Sequence, residues 1–434
     1  MFQTYDEALT WIHARLRLGI KPGLKRMEWM MERLGNPERK VKTIHIGGTN
    51  GKGSTVTFLR SILEAAGYSV GTFTSPYIES FNERISVNGT PVNDDEILEL
   101  ANRIKPLADE LDHSNLGGPT EFEVITAMSF VYFAEMKTVD FAVYEVGLGG
   151  RFDSTNILTP LVSIITNVGL DHIAILGDTY SEIAFEKAGI IKEGIPVITG
   201  TQQPEALEVI TRQAAEKHSP IYKLGEEILV TGHEKISRGE RFSVSTPFGE
   251  FPNLEVSMIG IHQTANASLA VAAAQHLNEY GWIKAGESEI RKGLKEAFWP
   301  GRLEFVSENP VVILDGAHNT EGIESLAREL SSRFTGKKVH IVFAALKDKP
   351  LDSMIYRLEE VSDRMTFVSF DFPRAASADD LFALSIGLKS SKEDDWRSLL
   401  AKEIKGMPEG WILVVTGSLY FISEARRYIL EKIL

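Results

Sequence analysis

An α/β fold, with a mostly parallel sheet followed by a smaller doubly wound domain, is what the sequence predicts, on three observations. Apolar strand-like runs alternate with stretches of helical periodicity along most of the chain. Two of those runs, VDFAVYEVG (139–147) and LVSIITNVG (161–169), are almost continuously apolar, as strands are when helices cover both faces of a sheet. A glycine-rich break, HIGGTNGKGST (45–55), falls between a strand-like run and a helical one.

Each element can be justified in turn. The opening MFQTYDEALTWIHARL has an amphipathic helical pattern and lacks the charged start and apolar centre of a signal peptide. KTIHI (42–46) and SVGTFT (69–74) are strands either side of the helix that follows the glycines. DDEILELANRIKPLADEL (94–111) is a helix opened by acidic residues, with Asn93 or Asp94 as its cap. TEFEVITAMSFVYFAEM (120–136) is a helix apolar on most sides and therefore buried. IPVITG (195–200) is a further strand, and RFSVSTPFGEF (241–251) alternates around a turn as a hairpin does. HQTANASLAVAAAQHLNEYG (262–281) is a long Ala-rich helix. FWPGR (298–302) carries Pro and Gly after it and marks a domain boundary and a natural hinge. Beyond that point VVILDGAHN, VHIVFAAL, MTFVSF and WILVVTGS are four strands with helices between them, a Rossmann-like arrangement.

Composition sets the bounds. A chain of 434 residues is too long for one core of ordinary size, so two domains are expected. With 46 basic and 60 acidic side chains the net charge is −14, which argues against non-specific nucleic-acid binding. There is no cysteine, so disulfides, thiolate metal sites and cysteine nucleophiles are excluded, in keeping with a cytoplasmic protein. No run of 18 uncharged apolar residues occurs, so no membrane partner is expected.

The glycine break carries the chemistry. Four glycines in seven positions, 47 to 53, let backbone N–H groups turn inward around an anion, and the helix behind them adds its positive end. Lys52 would reach terminal phosphates and a hydroxyl would ligate magnesium. The pattern departs from G-x-x-x-x-G-K-[ST], with Ile46 in place of the first glycine and Gly53 in place of the hydroxyl. Ser54 and Thr55 come one and two positions later. Ligands of open α/β sheets collect where strands end. The run ending in Glu145 is followed by GLGGRFDSTN, and the next by LDHIAILGDT with Asp171 and His172. An acid, a histidine and a hydroxyl beside a phosphate loop suit Mg²⁺ or Mn²⁺. Singly, each reads as an ordinary loop residue; their conjunction at three strand ends is the signal.

In chain order stand GGTNGKGS, SPYIESFNERISVNG, EVGLGGRFDSTN, NVGLDHIAILGDTYSEIAFEKAGIIK, HQTANA, PGRLE, LDGAHN and TGSLYF. Together, over residues 40 to 421, they resemble the folylpolyglutamate synthases, many of them also dihydrofolate synthases, of the Mur ligase superfamily. The resemblance implies ATP-dependent ligation of L-glutamate to the γ-carboxylate of a reduced folate through an acyl phosphate, with dihydropteroate as a further acceptor in bifunctional members. It implies a P-loop ATPase domain over 1–297 and a Rossmann-like ligase domain over 298–434, acting as a monomer. The ATP loop and metal ligands precede the boundary and Asp315 and His318 follow it, so the reacting centre would form between domains.

The same resemblance implies roles, residue by residue. Asn50, Gly51, Lys52, Gly53 and Ser54 would hold the phosphates. Ser54, Glu145, His172 and a carbamoylated Lys187 would ligate two Mg²⁺, and potassium or another monovalent cation would assist. Asn266 would approach the adenine, with Gln263 nearby. Arg302 would bridge to phosphate, Asp315 would contact the nucleotide, and His318 would lie near the acyl phosphate or the incoming glutamate. Phe81, Arg84, Phe122, Glu123 and Asp153 would form the folate site, with Phe81 stacking on a ring and Arg84 meeting a carboxylate. Without the resemblance Lys187 is a solvated helix lysine, and DGAHN is a strand-to-helix turn capped by Asn319. Competing readings are another amino-acid ligase of the superfamily, which would carry a domain ahead of the loop; a P-loop switch or binding module, which would carry the consensus loop; and a nucleotide-binding structural protein.

Overall fold

The computed structural model describes residues 1–387 and 389–434. They form two compact units. The first comprises Met1–Ile236, Arg241–Ser257 and Gln263–Ala297, and the second comprises Phe298–Leu434 with two short stretches, Ser237–Glu240 and Met258–His262. A single division at residue 297/298 would leave both stretches with the first unit. They carry no compositional signal. What ties them to the second is the Glu240 carboxylate, wholly buried, which accepts the Gly260 N–H at 2.8 Å and pairs with Arg333.

The first unit holds a sheet of β1 (Thr43–Gly47), β2 (Val70–Phe73), β3 (Ile85–Val87), β4 (Thr90–Pro91), β5 (Phe141–Glu145), β6 (Val162–Ile165), β7 (Val197–Thr199) and β8 (Ile221–Lys223). The order is β4-β3-β2-β5-β1-β6-β7-β8, parallel except at β3, which runs against both neighbours. Every residue of β1, β5 and β6 is buried, the reason those runs read as continuously apolar. β1 lies between β5 and β6, with Ile46 opposite both Glu145 and Ile164. Three strands therefore end side by side, and their loops share one sheet edge.

The helices start where their caps direct. Asn93, not Asp94, caps the helix Asp94–Asp112: its side chain accepts the Glu96 N–H at 2.9 Å while Glu96 accepts the Asn93 N–H at 3.0 Å. The buried helix after Thr120 runs Glu121–Val131 and finishes as a π-helical turn, Tyr132–Met136, rather than as one α-helix to Met136. The expected hairpin is part of a three-stranded sheet of β9 (Leu229–Lys235), β10 (Glu240–Thr246) and β11 (Gly249–Val256), ordered β11-β10-β9.

In the second unit β12 (Glu304–Glu308), β13 (Val311–Leu314), β14 (Lys338–Phe343), β15 (Arg364–Val368), β16 (Ser390–Glu393) and β17 (Trp411–Thr416) are ordered β12-β13-β17-β14-β15-β16. Only β12 is antiparallel to its neighbour. Ile313 and Ile341 pack into one core with Leu330, Met354 and Phe367, while Val312 and Val342 pack into another with Leu400, Val415 and Phe421. Successive side chains thus feed opposite faces. Among the described residues no helix is long and apolar enough to cross a membrane.

Candidate functional site

β1 ends at Gly47 and the helix Lys52–Ala65 begins five residues later. The glycines between are required by geometry. Gly48 has φ +143° and Gly51 φ +82°, and a Cβ on them would meet Thr166 Oγ1 at 1.9 Å and Asn266 Oδ1 at 2.3 Å. The loop is held from behind. Asn167 Oδ1 accepts the N–H groups of Thr49 (3.1 Å) and Asn50 (2.8 Å), and Thr166 Oγ1 donates to Asn50 O at 2.6 Å. Sequence reasoning missed both supports; a Thr-Asn pair ending an apolar strand was the available signal. The cap, Gly51, supplies no side-chain acceptor, so the first-turn amides present donors at the positive end of the helix dipole.

Around this loop the structure gathers several predicted residues. Lys52 Nζ lies 3.2 Å from Thr49 O and 3.9 Å from Glu145 Oε1 at the end of β5. Glu145 is buried and its other oxygen accepts the Ser75 N–H at 3.4 Å. Ser54 is buried in the first helical turn. Asn266, in the helix Ile261–Glu279, lies against Gly51. Its Nδ2 donates to Gln263 Oε1 at 3.0 Å, and Gln263 Nε2 is buried with no acceptor among the described residues. His172 is exposed at φ +53°, a strained backbone for a non-glycine, and its N–H donates to Asp171 Oδ1 at 2.8 Å. Lys187, in the helix Tyr180–Ala188, is 3% exposed, so it is not a solvated lysine. An ammonium at that depth needs a partner or a change of charge.

The residues expected around folate divide differently. Phe122 is half-buried, and its ring occupies the space where a Cβ on Gly147 would stand, 2.5 Å away. Phe81 is a core residue, 4% exposed, edge-on to His13 and Tyr77, and no open ring face remains for stacking. Arg84 is buried over Tyr77 and Phe81, 3.9 Å from Glu121. Glu123 accepts the Thr120 N–H at 2.7 Å and is clasped by Arg26 Nε at 2.8 and 3.1 Å. Asp153 accepts Leu148 N–H (2.9 Å), Thr155 N–H (3.0 Å) and the Thr155 hydroxyl (2.5 Å). Burial pushes its pKa up while those hydrogen bonds oppose the rise.

In the second unit Arg302 sits on a strained turn between Gly301 at φ +70° and Leu303 at φ +46°. Asp315 accepts the Leu303 and Ala317 N–H groups, each at 2.9 Å, and Gly301 O accepts the Gly316 N–H at 2.8 Å. Gly301 N–H donates to Glu304 at 2.8 Å, and Arg426 grips that carboxylate at 2.9 and 3.0 Å. From Gly301 onward the expected hinge is therefore a fixed turn. Burial raises the Asp315 pKa, and the Arg302 charge works against it. His318 Nδ1 lies 2.8 Å from Gly316 O; a carbonyl only accepts, so Nδ1 carries the hydrogen. Asn319 caps the following helix, accepting the Gly322 N–H at 2.8 Å.

Two family models match the chain: the Mur ligase middle domain over residues 46–274 and the Mur ligase glutamate ligase domain over 301–419. The dihydrofolate synthase/folylpolyglutamate synthase of Bacillus subtilis is 51% identical, over 98% of this chain and 99% of its own. A solved FPGS–AMPPCP–folate complex superposes with a TM-score of 0.86 at 34% identity, covering 99% of this chain and 100% of that one. The Mycobacterium tuberculosis folylpolyglutamate synthase complexed with ADP gives 0.90 at 29% identity, with the same coverage.

Proposed function

We infer the reaction from one premise: the chain belongs to the folylpolyglutamate synthase/dihydrofolate synthase family of Mur ligases. It is an ATP-dependent carbon–nitrogen ligase that joins L-glutamate to the γ-carboxylate of a folate. A carboxylate oxygen of the folate attacks the γ-phosphorus of ATP and ADP departs. The amine of glutamate then attacks the carbonyl carbon, and phosphate leaves as the amide forms. Oxide is a poor leaving group and phosphate a good one, which is why ATP is spent.

The observation that carries this reading is the uncapped helix start at Gly51, with Lys52 beside it and Glu145 3.9 Å further on. Such a site receives a polyphosphate on fixed N–H donors and one ammonium, so charge spreading in the transition state meets donors already in place. Asn50, Gly51, Gly53 and Ser54 complete the cradle. Asn266, beside Gly51, is proposed for the adenine, with Gln263 Nε2 next to it as a further donor.

The donor chemistry suits magnesium. Glu145 and Ser54 present hard oxygens beside the loop, and no three His, Asp or Glu side chains cluster among the described residues, so nucleotide and water oxygens would complete the shell. Bound there, magnesium supplies charge neutralisation between phosphates. His172 and Lys187 are proposed for a second ion, Lys187 as its carbamate, which would turn a buried cation into an anionic oxygen donor. A monovalent cation is proposed as an accessory. Arg302 is assigned to phosphate and Asp315 to the nucleotide. His318, whose Nδ1–H is fixed on Gly316 O, is proposed to lie near the acyl phosphate or the incoming glutamate. Phe122 and Asp153 are proposed for the pterin end, with Arg84 for a carboxylate. Phe81 and Glu123 support that region through internal contacts.

ADP release measured with tetrahydrofolate and L-glutamate, and with each omitted, tests the proposal. Turnover that needs both is expected; turnover indifferent to either overturns it. Dihydropteroate in place of tetrahydrofolate decides whether the chain also makes dihydrofolate.

A further inference from the structure

His45 is the odd residue of β1. It stands mid-strand between Ile44 and Ile46, and all three are 0% exposed. An imidazole at such a position costs free energy unless it is hydrogen-bonded, and an aliphatic side chain would satisfy the strand at no such cost. The polar choice therefore calls for a reason.

Its Nε2 lies 2.8 Å from Thr155 Oγ1, and Thr155 is also wholly buried. That hydroxyl lies 2.5 Å from Asp153 Oδ1. A carboxylate accepts, so the hydroxyl donates to Asp153 and must accept from His45. The hydrogen of His45 is thereby assigned to Nε2, and the chain runs one way, from imidazole through hydroxyl to carboxylate. Burial above all, and the nearby Lys192 charge, lower the His45 pKa to about 3, so the ring stays a neutral donor at working pH. Asp153 Oδ2 then fixes Leu148 N–H at 2.9 Å, one residue past Gly147, which packs against the Phe122 ring.

We propose that His45 and Thr155 are positioning residues for the folate end of the reaction: they set Asp153 and the Gly147–Gly150 loop against Phe122, in register with the strand that carries the phosphate loop. This rests on the reading that Asp153 and Phe122 line the folate site. His45 stands two residues before Gly47, where the phosphate loop begins, so one buried strut joins the loops serving the two substrates.

Four variants of the full chain test it: His45→Leu and Thr155→Val, which break the strut, and His45→Gln and Thr155→Ser, which keep a donor and a hydroxyl. KM for tetrahydrofolate and for ATP is measured with kcat and the melting temperature. The breaking variants should raise KM for tetrahydrofolate about tenfold, as loss of orientation does, with KM for ATP within about twofold. The conservative pair should recover most of the loss. If His45→Leu does not fold, Thr155→Val carries the test alone. Equal movement of both KM values, or an unchanged KM for tetrahydrofolate in a folded breaking variant, overturns the proposal. Absence of glutamate-dependent ADP release by the unaltered chain would instead overturn the reaction assigned above.

Discussion

The helix that begins at Lys52 and the helix that begins at Thr320 both follow a buried parallel strand and a glycine turn. They differ in what fills the helix start. At Thr320 the chain caps itself, Asn319 accepting the Gly322 N–H at 2.8 Å. At Lys52 the cap is Gly51, with no side chain to accept. The turn before the second helix is likewise saturated by Asp315, Glu304 and Gly301 O. The loop before the first is held by Asn167 and Thr166, neither of which caps the helix start. Two similar motifs thus do different work. One start has no side-chain cap, and the other spends its donors on fixing the residues it carries.

The sharpest way to break this contrast is Lys52→Ala. ATP turnover should fall at least on the order of 10²-fold, the scale for losing a charged donor at a transition state, with the melting temperature little changed. Near-normal turnover in the purified variant would remove the anion role from the first helix. Lys187 comes next. Lys187→Ala should lose activity and regain part of it with short-chain carboxylates or high bicarbonate, whereas Lys187→Arg, which keeps the charge, should stay inactive. An active Arg variant would refute the carbamate.

Glycine substitutions sharpen the comparison further. Gly51→Ala places a Cβ at φ +82° and 2.3 Å from Asn266 Oδ1, so KM for ATP should rise about tenfold, the worth of 1–2 kcal/mol of left-handed strain. Gly316→Ala meets Leu419 Cδ2 at 2.3 Å and Cγ at 3.2 Å, with Gly301 O at 3.4 Å, but without positive φ, and should cost less than Gly51→Ala in the same titration. The smallest effect belongs to Asn319→Ala. Loss of a helix cap should cost about 1 kcal/mol of stability in urea unfolding and leave kcat nearly intact. A collapse of kcat would mean that this cap serves the reaction after all.

Much of the parallel-sheet core was legible because burial on both faces writes itself as an apolar run: β5, β6, β13 and β17 lie within runs read from the sequence, and β1, β14 and β15 overrun theirs by one residue. The edge strands β12 and β16 were not, since EFVSE and SSKE have no such run to offer. At the site, the glycine loop, Lys52 and Glu145 were readable because strand ends converge. Thr166 and Asn167 were not, since their role depends on β6 lying beside β1. The internal contacts of Glu123 and Thr155 were hidden for another reason. Each has a partner far off in sequence: Arg26 is 97 residues from Glu123, and His45 is 110 from Thr155. No local pattern announces a pairing made by the fold itself.

Arg426 and Ile422 bear on where this ligase unit ends. Arg426 grips Glu304, and Ile422 Cδ1 stands 2.5 Å from where a Gly301 side chain would begin, so both shape the turn that presents Arg302. The matched glutamate ligase region stops at residue 419. A fragment cut there would retain Arg302, Asp315 and His318 and lose the two side chains that brace the first of them. The terminal helix, Leu419–Lys432, is therefore structural scaffolding for a turn more than a hundred residues upstream. A tag or truncation placed inside it should be felt in turnover as well as in yield.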